Sequence, residues 1–189
     1  MALRTLLIVL SASLWLAGCA ASGDTRDEKR AAILDLRDEV MSDLYAAKPT
    51  LQAQVAAAPG YGVFTNANVN VILASFGGGF GVVEHPGNAQ WGQRSYMKMG
   101  EVGIGLGVGV KDYRLVMVFH TPEALEYFVE HGWSFGAQGD AAAKAGDIGG
   151  AVGGELIVNN VSIYQLTETG LALQATVKGT KFWRDGNLN

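Results

Sequence analysis

Apolar residues recur along Lys29–Ala46 at Ile33, Leu36, Val40, Met41, Leu44 and Tyr45, with charged residues between them. This spacing follows the helical period and predicts an amphipathic helix lying with its apolar stripe on a domain. The polar face mixes Asp35, Arg37, Asp38 and Glu39, whereas a helix lying in lipid carries a basic face. Lys48-Pro49 ends this helix and opens a second, because proline fits a first helical turn. Leu51, Val55 and Ala58 make its stripe, and Pro59-Gly60 closes it. From Tyr61 the pattern changes. Tyr61–Thr65 and Val69–Phe76, rich in aromatic and β-branched residues and bounded by Asn and Gly, predict two strands. Gly77–Val83 continues with glycine at alternate positions, and His85-Pro86-Gly87-Asn88 is turn chemistry.

Val102–Val110 alternates aliphatic residues and glycine without a break. As a strand it would show one aliphatic face and one of bare backbone, against which something is expected to pack. Lys111-Asp112 reads as a turn, and Arg114–His120 as a returning apolar strand. Thr121-Pro122-Glu123 starts a helix with a capping hydroxyl, a proline and an acid in the first turn. Ala124, Leu125, Phe128 and Val129 form its buried stripe, and Gly132 its C-cap. Ala137–Gly154 is rich in small residues and is the segment expected to cover the glycine face. Glu155–Thr167 and Leu171–Trp183 read as a hairpin across Glu168-Thr169-Gly170. The order of helices, strands, one helix and strands predicts an α+β domain. Its sheet is expected to be mainly antiparallel, strongly curved and glycine-rich, with N-terminal helices and one inserted helix.

The first nineteen residues read differently. Arg4 precedes the apolar stretch Leu6–Leu16, too short to span a bilayer, and Leu16-Ala17-Gly18-Cys19 follows. That run resembles a bacterial lipobox, in which the thiol takes a diacylglycerol and the chain is cut before the cysteine. Residues 1–18 are thus expected to be a removed signal peptide and Cys19 a lipidation site. Residues 19–28 would then be lipidated cysteine and tether, and residues 29–189 one domain. Ala20 follows the cysteine where an aspartate would favour inner-membrane retention, so the outer membrane is expected, with the domain facing the periplasm. Residues 20–27 would reach at most about 30 Å when extended, which confines the domain close to the membrane.

The chain of 189 residues carries 14 basic and 18 acidic groups, for a formal charge of −4. Removing the leader takes away only Arg4 and leaves −5. Neither value is the footprint of a nucleic-acid binder. A single cysteine excludes an internal disulfide and paired-cysteine metal sites. Gly77–Gly81 lacks the lysine and Ser/Thr of a phosphate-binding loop. His85, His120 and His131 lack the spacing of a zinc helix and read as capping or surface groups. No serine has a nucleophile-elbow context and no carboxylate pair stands out. No catalytic, metal or cofactor residue is expected, and the chain is not read as an enzyme. Lys178, Lys181, Trp183 and Arg184 instead group basic and aromatic types that suit a membrane interface. Lys98, Lys111 and Arg114 add basic charge near the glycine-rich hairpin, enough for a local anionic-lipid contact despite the net negative charge.

Several of these segments, in this order, resemble the SYLF domain, a module of bacterial lipoproteins and of eukaryotic actin-patch and endocytic proteins. They are Pro59-Gly60-Tyr61-Gly62-Val63-Phe64, Phe76–Gly81, Gly100–Val110, Ala141–Gly154, Ser162-Ile163-Tyr164, Thr169-Gly170-Leu171-Ala172 and Lys178-Gly179-Thr180. The resemblance covers roughly Lys29–Asn187. It implies non-catalytic binding of acidic phospholipid. In eukaryotic members that binding leans on a basic N-terminal helix, whereas Thr25–Val40 here is net acidic. Trp91 is followed by Gly92-Gln93, away from the family pattern. The expectation is therefore a lipid-anchored envelope protein that meets phospholipid through the glycine-faced sheet and the Lys178–Arg184 strand. A structural lipoprotein that binds another envelope protein is the alternative.

Overall fold

The computed structural model describes residues 21–72, 74–86, 93–103, 107–135, 148–152, 155–167, 170–172 and 179–189. Helix α1 (Arg26–Ala47) opens on a capping box, in which the Thr25 hydroxyl accepts from the Glu28 amide and the Glu28 carboxylate accepts from the Thr25 amide. This box lies ahead of the apolar stripe, so the helix begins at Arg26, three residues before the spacing predicts. Ala21 is already buried against Ile33 and Leu188. Much of the expected tether is therefore part of the domain. A short helix, α2 (Leu51–Ala57), follows.

The first strand, β1 (Gly60–Ile72), is a single run of thirteen residues. It pairs antiparallel with β2 (Ala74–Glu84) from Tyr61↔Glu84 to Val71↔Ala74. Two strands, Tyr61–Thr65 and Val69–Phe76, were expected. In fact Asn66 and Asn68 continue the strand because their side chains find a carboxylate, and the chain reverses between Ile72 and Ala74. Strand β3 (Arg94–Gly103) pairs with β2, and β4 (Gly107–Phe119) pairs with β1 along its whole length. The Gly-x run is therefore divided between the end of β3 and the start of β4, with residues 104–106 outside the described residues, and Lys111-Asp112 is strand, held opposite Asn68 and Ala67.

Helix α3 (Pro122–His131) forms as expected, with Thr121 capping the Ala124 amide and Gly132 at φ +69° ending it. Strand β5 (Trp133–Phe135) follows. Then come β6 (Ile148–Val152), β7 (Glu155–Val158), β8 (Val161–Thr167), β9 (Gly170–Ala172) and β10 (Gly179–Arg184). Asn159-Asn160 breaks the long strand expected over Glu155–Thr167 into β7 and β8. The hairpin across 168–170 pairs β8 with β9. Strand β10 pairs elsewhere, between β3 and β5. Most of Ala137–Gly154 lies outside the described residues.

The result is an α+β fold with one curled antiparallel sheet, ordered β5-β10-β3-β2-β1-β4-β8-β7-β6, with β9 beside β8. Alternation sorts the strand residues onto two faces. The outer face carries Val63, Val82, Val116 and Tyr164 and packs under α1 and α2 through Ile33, Val40, Leu44 and Leu51. Opposite it, the inner face carries Phe64, Met97, Met117 and Phe119 and packs on Leu125, Phe128 and Val129 of α3. Phe64 and Phe128 meet Phe182 edge-on or tilted at centroid distances of 4.9 and 5.5 Å.

Candidate functional site

The sheet extends past the helices that cover it. Along the outer face the register places Lys98, Phe80, Thr65 and Arg114 in one row, at the level of α1. Two residues further on, about 7 Å along each strand, lie Gly100, Gly78 and Ala67. The next row is Val102, Phe76 and Val69, paired side by side and exposed by 59%, 58% and 39%. Such a cluster of large apolar side chains in water marks an interaction surface. Trp183 of β10, 40% exposed, adjoins it. Its indole leans over Gly100, where a methyl group would meet ring carbons at 3.2 and 3.4 Å.

The basic residues singled out in the sequence have different fates. Lys181 pairs with Gly100 and Trp183 with Lys98, so both lie on the outer face beside the apolar row, and Arg184 is exposed at the strand end. Neither Lys181 nor Arg184 has an ion pair among the described residues. Lys98 is paired with Asp185 at 3.3 Å. Arg114 is turned to α1, where it meets Glu39 at 2.8 Å and Asp43 at 3.3 Å. Its described contacts fasten the helix to the sheet. Lys111 sits in β4 opposite Asn68. Cys19 and Lys178 lie outside the described residues.

Behind the apolar row, on the inner face, is a polar cluster that sequence reading missed. The Glu101 carboxylate is 3% exposed and accepts from Asn66 Nδ2 at 2.9 Å, Asn68 Nδ2 at 2.7 Å and the Tyr113 hydroxyl. Ser75 Oγ donates to Asn68 Oδ1 at 2.6 Å. Burial, together with the neighbouring Glu101 carboxylate, pushes the Tyr113 hydroxyl far above its ordinary pKa. Strand alternation in Asn66-Ala67-Asn68-Val69-Asn70 was the available signal, because it puts three amides on the face where a core would be apolar.

The glycines also have a different role from the expected one. Gly77, Gly79 and Gly81 fall on the inner face and lie close against the backbone and side chains of β1. A Cβ on Gly79 would sit 1.7 Å from the Thr65 carbonyl oxygen, and one on Gly81 would sit 2.1 Å from that of Val63. Their bareness lets β2 curl tightly against β1. The bare face expected over Val102–Val110 is a separate run, and its centre, residues 104–106, lies outside the described residues.

The histidines are structural, though not all are surface groups. His85 is fully buried with Nε2 3.0 Å from Ser95 Oγ, and His120 Nε2 lies 2.6 Å from Ser162 Oγ. His131 stacks on Tyr127. Among the described residues no three metal-ligating side chains converge, and no helix is long and apolar enough to cross a membrane.

Residues 100–189 match the Ysc84 family, described as "Las17-binding protein actin regulator". The chain is also 31% identical, over 168 residues, to "Beta cell expansion factor A" of Aeromonas veronii, across 87% of its own length. Residues 100–189 thus carry a SYLF-domain match, and the relative is a bacterial SYLF protein. The chain spans 60% of the length of that relative. SYLF domains are non-catalytic lipid-binding and interaction modules. In this one, the matched part contributes β4, β10 and most of α3's surroundings, while the exposed Phe76 and Val69 come from the strands before it.

Proposed function

We propose that this protein is a non-catalytic envelope lipoprotein, anchored through acyl chains on Cys19 to the outer membrane and facing the periplasm. In this reading it holds acidic phospholipid against its outer sheet face. The observation that carries the lipid contact is the exposed row Val69–Phe76–Val102, adjoined by Trp183 and by Lys181, which has no ion pair among the described residues. Apolar side chains would enter the acyl boundary while the aromatic and the cation sit at headgroup level. The anchor is supported by the lipobox-like run at Leu16–Cys19 and by alanine at position 20. It also fits the entry of the chain: Ala21 packs on the outer face with Val82 and Phe80. Ala21 lies two positions after Cys19, at most about 7 Å away, so an anchored chain would bring that face to the bilayer. An actin link, part of the matched family's description, is not carried over.

The test is flotation of the full chain carrying Cys19→Ser, which removes acylation, with vesicles of phosphatidylglycerol and, separately, of phosphatidylcholine. Binding to the anionic vesicles is expected. It should fall about tenfold in Phe76→Ser/Val102→Ser, and it should weaken as salt rises in the parent but much less so in Lys181→Ala. Absence from both vesicle fractions, or binding that the apolar pair does not alter, would reject the lipid contact while leaving the anchor to be tested by acyl labelling of Cys19.

A further inference from the structure

At the opposite end of the sheet, a surface cleft of about 380 Å³ opens between α3 and the β7–β8 turn. It is lined by Thr121, Glu123, Tyr127, Trp133, Asn159 and Asn160. Gly60 and Val161 at this end and Val69 at the other are nine residues apart along β1, about 30 Å. A ligand here would not compete with one on the apolar row.

Two features of the cleft ask for a ligand. The first is its pair of aromatic side chains. Tyr127 is 61% exposed, yet its orientation is fixed by stacking on His131 at 4.8 Å, and Trp133 is set edge-on against Phe128 at 6.2 Å. The second is the turn. Asn159 and Asn160 both have positive φ, +50° and +61°. A two-residue hairpin of this kind favours glycine at its second position, but asparagine is present there. Neither side-chain amide has a hydrogen-bond partner among the described residues; only the Asn160 carbonyl is used, by the His120 amide at 2.8 Å.

The lining also selects the chemistry. No lysine or arginine lines the cleft. Glu123 lines it, and Glu126 and Glu130 follow on the exposed side of α3, so an anion is repelled. A primary amide both donates and accepts; a hydroxyl matches both roles, whereas an ammonium group only donates. Aromatic surfaces beside paired amide and carboxylate groups suit a flat ring with one apolar face and hydroxyls at its rim. We infer that this cleft binds a neutral sugar ring, with Tyr127 and Trp133 as stacking surfaces and Asn159, Asn160 and Glu123 as hydroxyl partners.

The test titrates the full Cys19→Ser chain with chitotriose and with cellotriose, read by calorimetry and by ligand-observed NMR, with trilysine as the cationic comparison. Saturable binding of at least one sugar is expected. Tyr127→Ala should weaken it about three- to tenfold. Asn160→Gly gives the more discriminating readout: it supplies the residue the turn prefers, so the melting temperature should hold or rise while sugar affinity falls. Vesicle flotation should be unchanged in both variants. No saturable sugar binding, binding indifferent to both substitutions, or tighter binding of trilysine than of either sugar would overturn the inference.

Discussion

The two faces of this sheet are made by the same strands and behave in opposite ways. On the inner face every described position from Phe64 to Asn70 that points inward is buried, polar or not, and the Asn66 and Asn68 amides are fastened to Glu101. On the outer face α1 covers one end and leaves the other, so Val69, Phe76 and Val102 stand in water. Polar groups are inside and apolar groups outside at the same level of the sheet. Each departure has its own physical reason. The inner polar cluster survives burial because the Glu101 carboxylate accepts from three donors, although Asn66 Oδ1 has no partner among the described residues. The outer apolar row lowers solubility without stabilising the fold, which is how a contact surface for something else behaves.

The largest expected effect breaks the inner face. Glu101→Ala would strip the acceptor from Asn66, Asn68 and Tyr113, and should cost at least about 3 kcal/mol of unfolding free energy by urea titration. Val102→Ala, its immediate neighbour on the other face, should stay within about 0.5 kcal/mol of the parent. Similar losses for the two would remove the contrast between the faces.

The glycines sharpen the same contrast. Gly79→Ala drives a methyl group into the Thr65 carbonyl, which paired backbone cannot vacate, and should cost about 2–3 kcal/mol or more. Gly100→Ala meets only the tip of the half-exposed Trp183 ring and should cost under about 1 kcal/mol, since that side chain can shift. Circular dichroism melts of the two variants would show whether the curl depends on the inner glycines.

Alkaline pH should act most strongly on the inner face, through Tyr113, although burial also raises the Tyr61 and Tyr45 hydroxyls on the helix-covered side. Tyr113 has its pKa raised by burial and then by Glu101, so above about pH 10 the unfolded chain loses a proton that the folded chain keeps. Stability therefore falls as pH rises past 10. Tyr113→Phe should be less stable at neutral pH yet lose less on going from pH 9 to 11. Equal slopes in the denaturant midpoint would show that Tyr113 does not carry the effect. The smallest effect is acidic. Glu28 has its pKa lowered by the Thr25 and Asp24 amides, so its support for the start of α1 is present above pH 4.5 and is lost as pH falls through the folded value. Amide exchange at residues 26–29 should quicken there, and Glu28→Gln should abolish that dependence.

Local patterns that need no distant partner were legible in the sequence. The stripe Ile33–Leu44 gave α1, Thr121-Pro122 and Gly132 bounded α3, and the balance of strands and helices gave an α+β fold. The boundaries that failed depended on pairing. Asn66-Ala67-Asn68 looks like a strand break because asparagine is poor in strands, and only Glu101, thirty-three residues beyond Asn68, makes it strand. Lys111-Asp112 looks like a turn until β1 extends far enough to pair with it. Of the basic residues chosen from sequence, Lys181 and Arg184 remain exposed, while Lys98 and Arg114 meet acids contributed by Asp185 and α1.

By itself, then, the sequence determined which segments are amphipathic, where α3 is capped, which family the motifs resemble, and that the one cysteine stands in a lipobox-like run. Those are properties of short windows, set by periodicity and by residue chemistry. The tertiary structure alone decided that the alternate glycines of β2 serve curvature, that Asn66, Asn68 and Tyr113 share one buried cluster with Glu101, and that Phe76, Val69 and Val102 stand in a single exposed row. Each of these depends on register, and register is a relation between strands far apart in the chain: one residue of slip would exchange the two faces.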